Sequence, residues 1–183
     1  MKYSAGFTLI EMLIVTAIIG IMVPPLYYIT VTPLRTYAVE TERDNLFMDY
    51  DKVHRILDRD IRAAKNILSS IGDIQSSTTS LVLELPKYNY DLKRFENEII
   101  YYHLETDPVS NNYIFWRDEF TNNLEIKKKS YPVSRILSGI EFKPISTQWE
   151  NSNLISMGLK YNKSIAHTDL QIDRKVIIAL RGR

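Results

Sequence analysis

The chain has 183 residues and a formal net charge of +1, with 45% apolar and 25% charged residues. This balance suggests one ordinary domain plus an anchor, and it leaves no bulk field to draw in nucleic acid or an acidic surface. There is no cysteine, which excludes thiol catalysis and any disulfide staple. The fold must therefore rest on its core, for which the roughly 110 residues after the N-terminal helical region are enough.

The first predicted element begins after the leader MKYSAG. Residues 7–34, FTLIEMLIVTAIIGIMVPPLYYITVTPL, contain a single charge, Glu11. A stretch this long and apolar can cross the hydrocarbon core of a bilayer as a helix. A lone carboxylate there is costly to desolvate, so Glu11 is a functional candidate that needs a partner.

Gly6-Phe7-Thr8-Leu9-Ile10-Glu11, followed by Met12-Leu13-Ile14-Val15, resembles the processing and methylation motif of type IV prepilins and type II secretion or DNA-uptake pseudopilins. The resemblance implies cleavage between Gly6 and Phe7 by a membrane prepilin peptidase, N-methylation of Phe7, and incorporation into a helical filament. It also implies other pilin or pseudopilin subunits, an inner-membrane assembly platform and membrane lipid as partners. Many pilins carry a disulfide, and this chain departs from them. Two readings of Glu11 stand. Its carboxylate can meet the new Phe7 amine of a neighbouring subunit, where each charge removes the other's desolvation cost and the pair sets the axial stagger. Alternatively, it neutralises its own chain's amine or snorkels to the interface.

An ordinary secretory signal is a poor match, because no small-x-small cleavage site follows the apolar run and Glu11 interrupts it. Lys2 precedes the span and Arg35 follows it beside acidic residues. This favours a cytoplasmic N-terminus and an extracytoplasmic head on a single-pass inner-membrane protein. Pro24, Pro25 and Pro33 interrupt the apolar helix and free the carbonyls of Gly20, Ile21 and Ile29, so a kink or locally open segment is expected. By resemblance, such a stretch can loosen on assembly; the alternative is a static bend without a role.

From residue 35 to 68 the helical period continues. Leu46, Tyr50, Val53, Leu57, Ile61, Ala64 and Leu68 recur at steps of three and four and form one apolar stripe. Alternating charges through RILDRDIRAAK (residues 55–65) suggest a solvated, ion-paired face. One helix from Phe7 to Leu68 would be on the order of 90 Å long, lipid-embedded at first and then the spine of a head, as in a pilin. The segments are thus a leader (1–6), a transmembrane and assembly helix (7–34), its amphipathic half (35–68) and a β-rich head (69–183).

Residues 69–80, SSIGDIQSSTTS, read as a helix exit and loop. Six candidate strands follow: 80–85, 98–104, 113–117, 136–145 (a turn and strand), 154–161 and 172–180. The expected fold class is α+β, a long helix packed against an antiparallel β-sheet head. The run Arg55-Ile56-Leu57-Asp58-Arg59-Asp60-Ile61-Arg62-Ala63-Ala64 is similar to the helix of larger minor pilins and pseudopilins of the PilW and GspJ kind, as is the late Ile178–Arg181. These, with the size of the head, favour a minor subunit.

Other chemistry finds little support. His54, His103 and His167 lack metal-ligand spacing, so neither a metal nor another cofactor is expected. No nucleophile elbow or phosphate-binding loop occurs, the carboxylates are dispersed, and no enzymatic activity is expected. Lys127-Lys128-Lys129 reads as a solvated loop, and as a DNA contact it would bind only modestly. Tyr101, Tyr102, Tyr113, Phe115 and Trp116 sit at strand periodicity, as core residues do. Trp149, in the polar run STQWENSN, is the expected exposed aromatic. The sequence thus implies a structural filament subunit. The competing function is a membrane-anchored module whose head captures DNA or a secreted substrate, with a tethered enzyme as a third class.

Overall fold

A computed structural model describes residues 8–90, 93–108, 112–121, 127–165 and 168–180. Among the described residues, one helix, α1 (Leu9–Ala63), is followed by ten strands. These are β1 (Asn66–Leu68), β2 (Ser70–Ile71), β3 (Ile74–Gln75), β4 (Ser80–Asn89) and β5 (Arg94–Thr106), then β6 (Tyr113–Phe120), β7 (Lys127–Ser134), β8 (Gly139–Pro144), β9 (Leu154–Ile165) and β10 (Thr168–Ala179). All pairings are antiparallel. The strands form a five-stranded sheet in the order β1-β4-β5-β6-β7, a three-stranded sheet β10-β9-β8 and the small β2-β3 hairpin. The architecture is α+β, one long N-terminal helix packed against antiparallel sheets.

Two compact units divide the chain, Met1–Glu42 and Arg43–Arg183. The first holds the apolar part of α1, where an 18-residue window has a mean hydropathy of 2.2 and none of it is buried against protein. By length and composition it can cross a membrane. The helix is continuous through Pro24, Pro25 and Pro33. Threonine hydroxyls in this stretch bond back to the preceding turn, Thr16 to the Met12 and Leu13 carbonyls at 3.0 Å each and Thr30 to Leu26 at 2.8 Å. That satisfies each hydroxyl without water.

In the second unit the apolar stripe of α1 packs as its spacing dictates. Leu46, Tyr50, Val53, Leu57 and Ile61 are buried in one cluster with Leu81, Leu83, Ile100, Tyr102 and Phe115 from the larger sheet. From the smaller sheet come Phe142, Ile155, Leu159 and Tyr161. Aromatic contacts tie the layers together: Phe115 meets Phe142 across the two sheets at 6.4 Å, and Tyr50 on α1 meets Tyr161 at 6.4 Å.

The helix ends at Ala63, five residues before the end of the periodic stripe. The Lys65 amide donates to the Glu84 carbonyl at 2.8 Å, and Asn66–Leu68 then pair with Glu84–Val82 of β4. Ile67 is buried as a result, while Leu68 is only partly so. Helical period alone cannot register a strand partner 18 residues away. The expected loop at 69–80 contains the β2-β3 hairpin, whose two-residue turn places Gly72 at φ 55°, a conformation glycine adopts without strain.

Two further expectations are corrected. Lys127–Lys129 open strand β7 rather than a loop, and β7 is an edge strand of the larger sheet. The preceding residues Leu124–Ile126 lie outside the described residues. Trp149 is half-buried and packs against the core cluster instead of standing free.

Candidate assembly site

The described chain starts at Thr8, which precedes α1 as its N-cap. Thr8 Oγ1 accepts the Glu11 amide N–H at 3.3 Å. In return, the Glu11 carboxylate accepts the Thr8 amide at 2.8 Å and the Thr8 hydroxyl at 2.9 Å. This is a reciprocal capping box, in which the cap residue and the acid three positions later satisfy each other's donors. The acid also faces the positive end of the helix dipole. Glu11 is exposed in the single chain, so its carboxylate is held at the first turn and open to a partner. The Thr-x-x-Glu spacing was visible in the sequence as a capping signal; the motif resemblance drew attention to Glu11 and left Thr8 without a role.

Gly6 and Phe7, the expected cleavage pair, lie outside the described residues. Pro24, Pro25 and Pro33 all lie within α1. Leu9, Ile10, Leu13, Ile21, Tyr28 and Ile29 on that helix are all more than 60% exposed, an apolar surface that needs lipid or other helices to cover it.

The head contains a polar centre that sequence reasoning missed. Asp60 lies within the charged run 55–65, yet only 2% of it is exposed. Its Oδ2 accepts the Tyr102 hydroxyl at 2.7 Å and Arg117 Nε at 2.7 Å, and its Oδ1 accepts Arg59 Nε at 2.9 Å. Arg117 also pairs with Glu119. Burial pushes the Tyr102 pKa well above its ordinary value, helped by the neighbouring Asp60 charge. Burial opposes the Arg117 charge, but Tyr102 and Asp60 outweigh it and raise its pKa. The group is a desolvated, mutually satisfied knot joining α1 to β5 and β6.

Among the histidines, His54 stacks on Tyr50 at 5.9 Å, and His103 Nε2 lies 3.1 Å from Asp118 Oδ2. Ser130 also donates to Asp118, at 2.5 Å. The acid therefore sits between serine and histidine, which is the wrong order for a nucleophilic triad. His167 lies outside the described residues. Among the described residues, no three His, Asp or Glu side chains converge as metal ligands.

Residues 1–23 match the family model described as a prokaryotic N-terminal methylation motif. The chain thus carries the N-terminal motif of the prepilin and pseudopilin family, whose members are structural subunits. In this chain the motif opens an apolar helix suited to membrane anchoring; proteins with this motif in general assemble with other pilin subunits and meet a prepilin peptidase. No curated protein and no solved structure matches the chain.

Proposed function

We propose that the protein is a minor pilin or pseudopilin, a subunit of a type IV pilus-like filament or of a type II secretion or DNA-uptake pseudopilus. The prepilin peptidase cleaves between Gly6 and Phe7, Phe7 is N-methylated, and an inner-membrane platform inserts the subunit into the filament. Before assembly the chain is held in the inner membrane, with its N-terminus cytoplasmic and its head outside. The observation that carries this reading is the methylation motif together with Glu11 pinned at the helix start. A carboxylate held one turn from the mature N-terminus is placed to receive the amine of an adjacent subunit. That ion pair replaces two costly desolvations with one neutral contact.

The three prolines supply the second part of the mechanism. Each removes an amide donor from a turn of α1, so this stretch is the least costly part of the helix to open when packing against neighbours demands it.

The test uses two variants of the full chain in its native membrane. Gly6→Leu is expected to retain the leader, read by mass spectrometry of the N-terminus. Glu11→Ala is expected to be cleaved and methylated normally but to enter filaments at least tenfold less often than the parent. Normal maturation of Gly6→Leu would sink the peptidase assignment. Equal incorporation of Glu11→Ala would sink the inter-subunit role and leave Glu11 as a helix cap alone.

A further inference from the structure

The head has a cavity of about 480 Å³ that the assembly reading does not use. It opens between the start of β6, the turn from β7 to β8, and the far part of β9. Its described lining is Asn112 and Tyr113, Arg135 to Ser138, and Asn162 with Lys163. That volume suits a small molecule.

The chemistry of the lining is selective. It contains two cationic side chains and, among the described residues, no carboxylate. Arg135 is exposed and forms no hydrogen bond or ion pair among the described residues. A guanidinium so placed offers a planar fork to a carboxylate. Asn112 and Asn162 are exposed amides that can donate and accept, which is the pattern ligand hydroxyls require. Tyr113 is 46% exposed and Ile136 39% exposed, so an aromatic ring and an aliphatic side chain are available to the C–H surface of a ring.

The wall is built before any ligand arrives. Ser134 Oγ accepts the amides of Ile136 and Leu137 at 3.2 Å each and donates to Asp49 on α1 at 2.5 Å. The Ser138 amide bonds the Lys160 carbonyl at 2.8 Å, and its hydroxyl accepts the Asn162 amide at 2.6 Å. A wall already tied to α1 and β9 has little left to order on binding.

We propose that this cavity binds a sugar acid. Arg135 and Lys163 face the carboxylate, the two asparagines take ring hydroxyls, and Tyr113 lies against the ring. The proposal is independent of filament assembly, because the described lining residues all belong to one chain.

The test is calorimetric titration of the full chain in a polyoxyethylene detergent, which has no sugar headgroup. The probes are a galacturonic acid trimer, the neutral maltotriose and inorganic phosphate. Saturable binding of the acidic trimer is expected, at least tenfold tighter than either control. Arg135→Gln should weaken it tenfold or more. Tyr90→Ala, an exposed aromatic in the turn just after β4, should leave it unchanged. Absence of saturable binding, equal binding of phosphate, or full affinity in Arg135→Gln would each overturn the proposal. Should Arg135→Gln fail to fold, Asn162→Ala replaces it, and unchanged affinity in that variant is equally fatal.

Discussion

Asp60 and Glu11 are both acids on α1, and their surroundings give them opposite fates. Glu11 lies on an unburied stretch of the helix, where among the described residues only Thr8 holds it. Asp60 is enclosed by three donors from Arg59, Tyr102 and Arg117. Removing one partner of such a knot leaves an uncompensated buried charge, which costs about 3–5 kcal/mol. Asp60→Ala is therefore expected to lose stability on that scale in chemical denaturation, since it takes from buried Arg117 one of its two carboxylate partners and from the Tyr102 hydroxyl its acceptor. The double variant Asp60→Leu with Arg117→Met should lose markedly less, because neither charge is left buried. Equal losses would mean that packing, and not charge pairing, dominates at this position. Helical spacing puts Asp60 at the edge of the apolar stripe, three residues after Leu57 and seven after Val53, with Asp58 further round; the donors on β5 and β6 are what make its burial tolerable.

At the scale of the element, α1 from residue 43 onward behaves as its periodicity requires. Leu57 is completely buried, whereas Met48 on the other side of the helix is 70% exposed. Leu57→Ala should destabilise the head by about 2–5 kcal/mol through lost contacts and a residual cavity. Met48→Ala should change stability by less than about 0.5 kcal/mol, as surface substitutions usually do. Paired thermal melts of the full chain check both, and comparable losses would contradict the packing described. The strands that escaped sequence reading did so for identifiable reasons. β1 to β3 have two or three residues each and depend on partners rather than propensity. β7 carries a lysine run and Pro132, residues that disfavour an interior strand but suit an edge. It is also interrupted by register shifts at Phe115/Trp116 and Glu119/Phe120, so its alternation is broken where a pattern search would look for it.

At the scale of the molecule, two buried tyrosines couple the fold to alkaline pH. Burial raises the Tyr102 pKa, with Asp60 adding to it, and burial raises that of Tyr161, with Asp49 adding to it. Each hydroxyl donates to a carboxylate, Tyr102 to Asp60 at 2.7 Å and Tyr161 to Asp49 at 3.2 Å. Both groups hold their protons more tightly when folded than when unfolded. Their contribution is therefore complete below the unfolded tyrosine pKa of about 10 and declines as pH rises above it. The Tm of the full chain should fall steadily between pH 9.5 and 11.5, on the scale set by that ordinary pKa. Replacing both tyrosines by phenylalanine should flatten the fall. An unchanged slope in the double variant would assign the alkaline loss to other groups.

The amino-acid sequence by itself determined the two halves of α1, the N-terminal motif and six of the strands. These depend on local spacing: three- and four-residue steps, two-residue alternation, and a dense cluster of motif residues within the first dozen positions. Only the tertiary structure decided where α1 stops, which donors enclose Asp60, that Trp149 packs inward, and that Arg135 and Lys163 share a cavity. Each of those outcomes depends on groups far apart in the chain, such as Asp60 with Arg117, or Lys65 with Glu84. Contacts of that kind leave no periodic trace in the residues that make them.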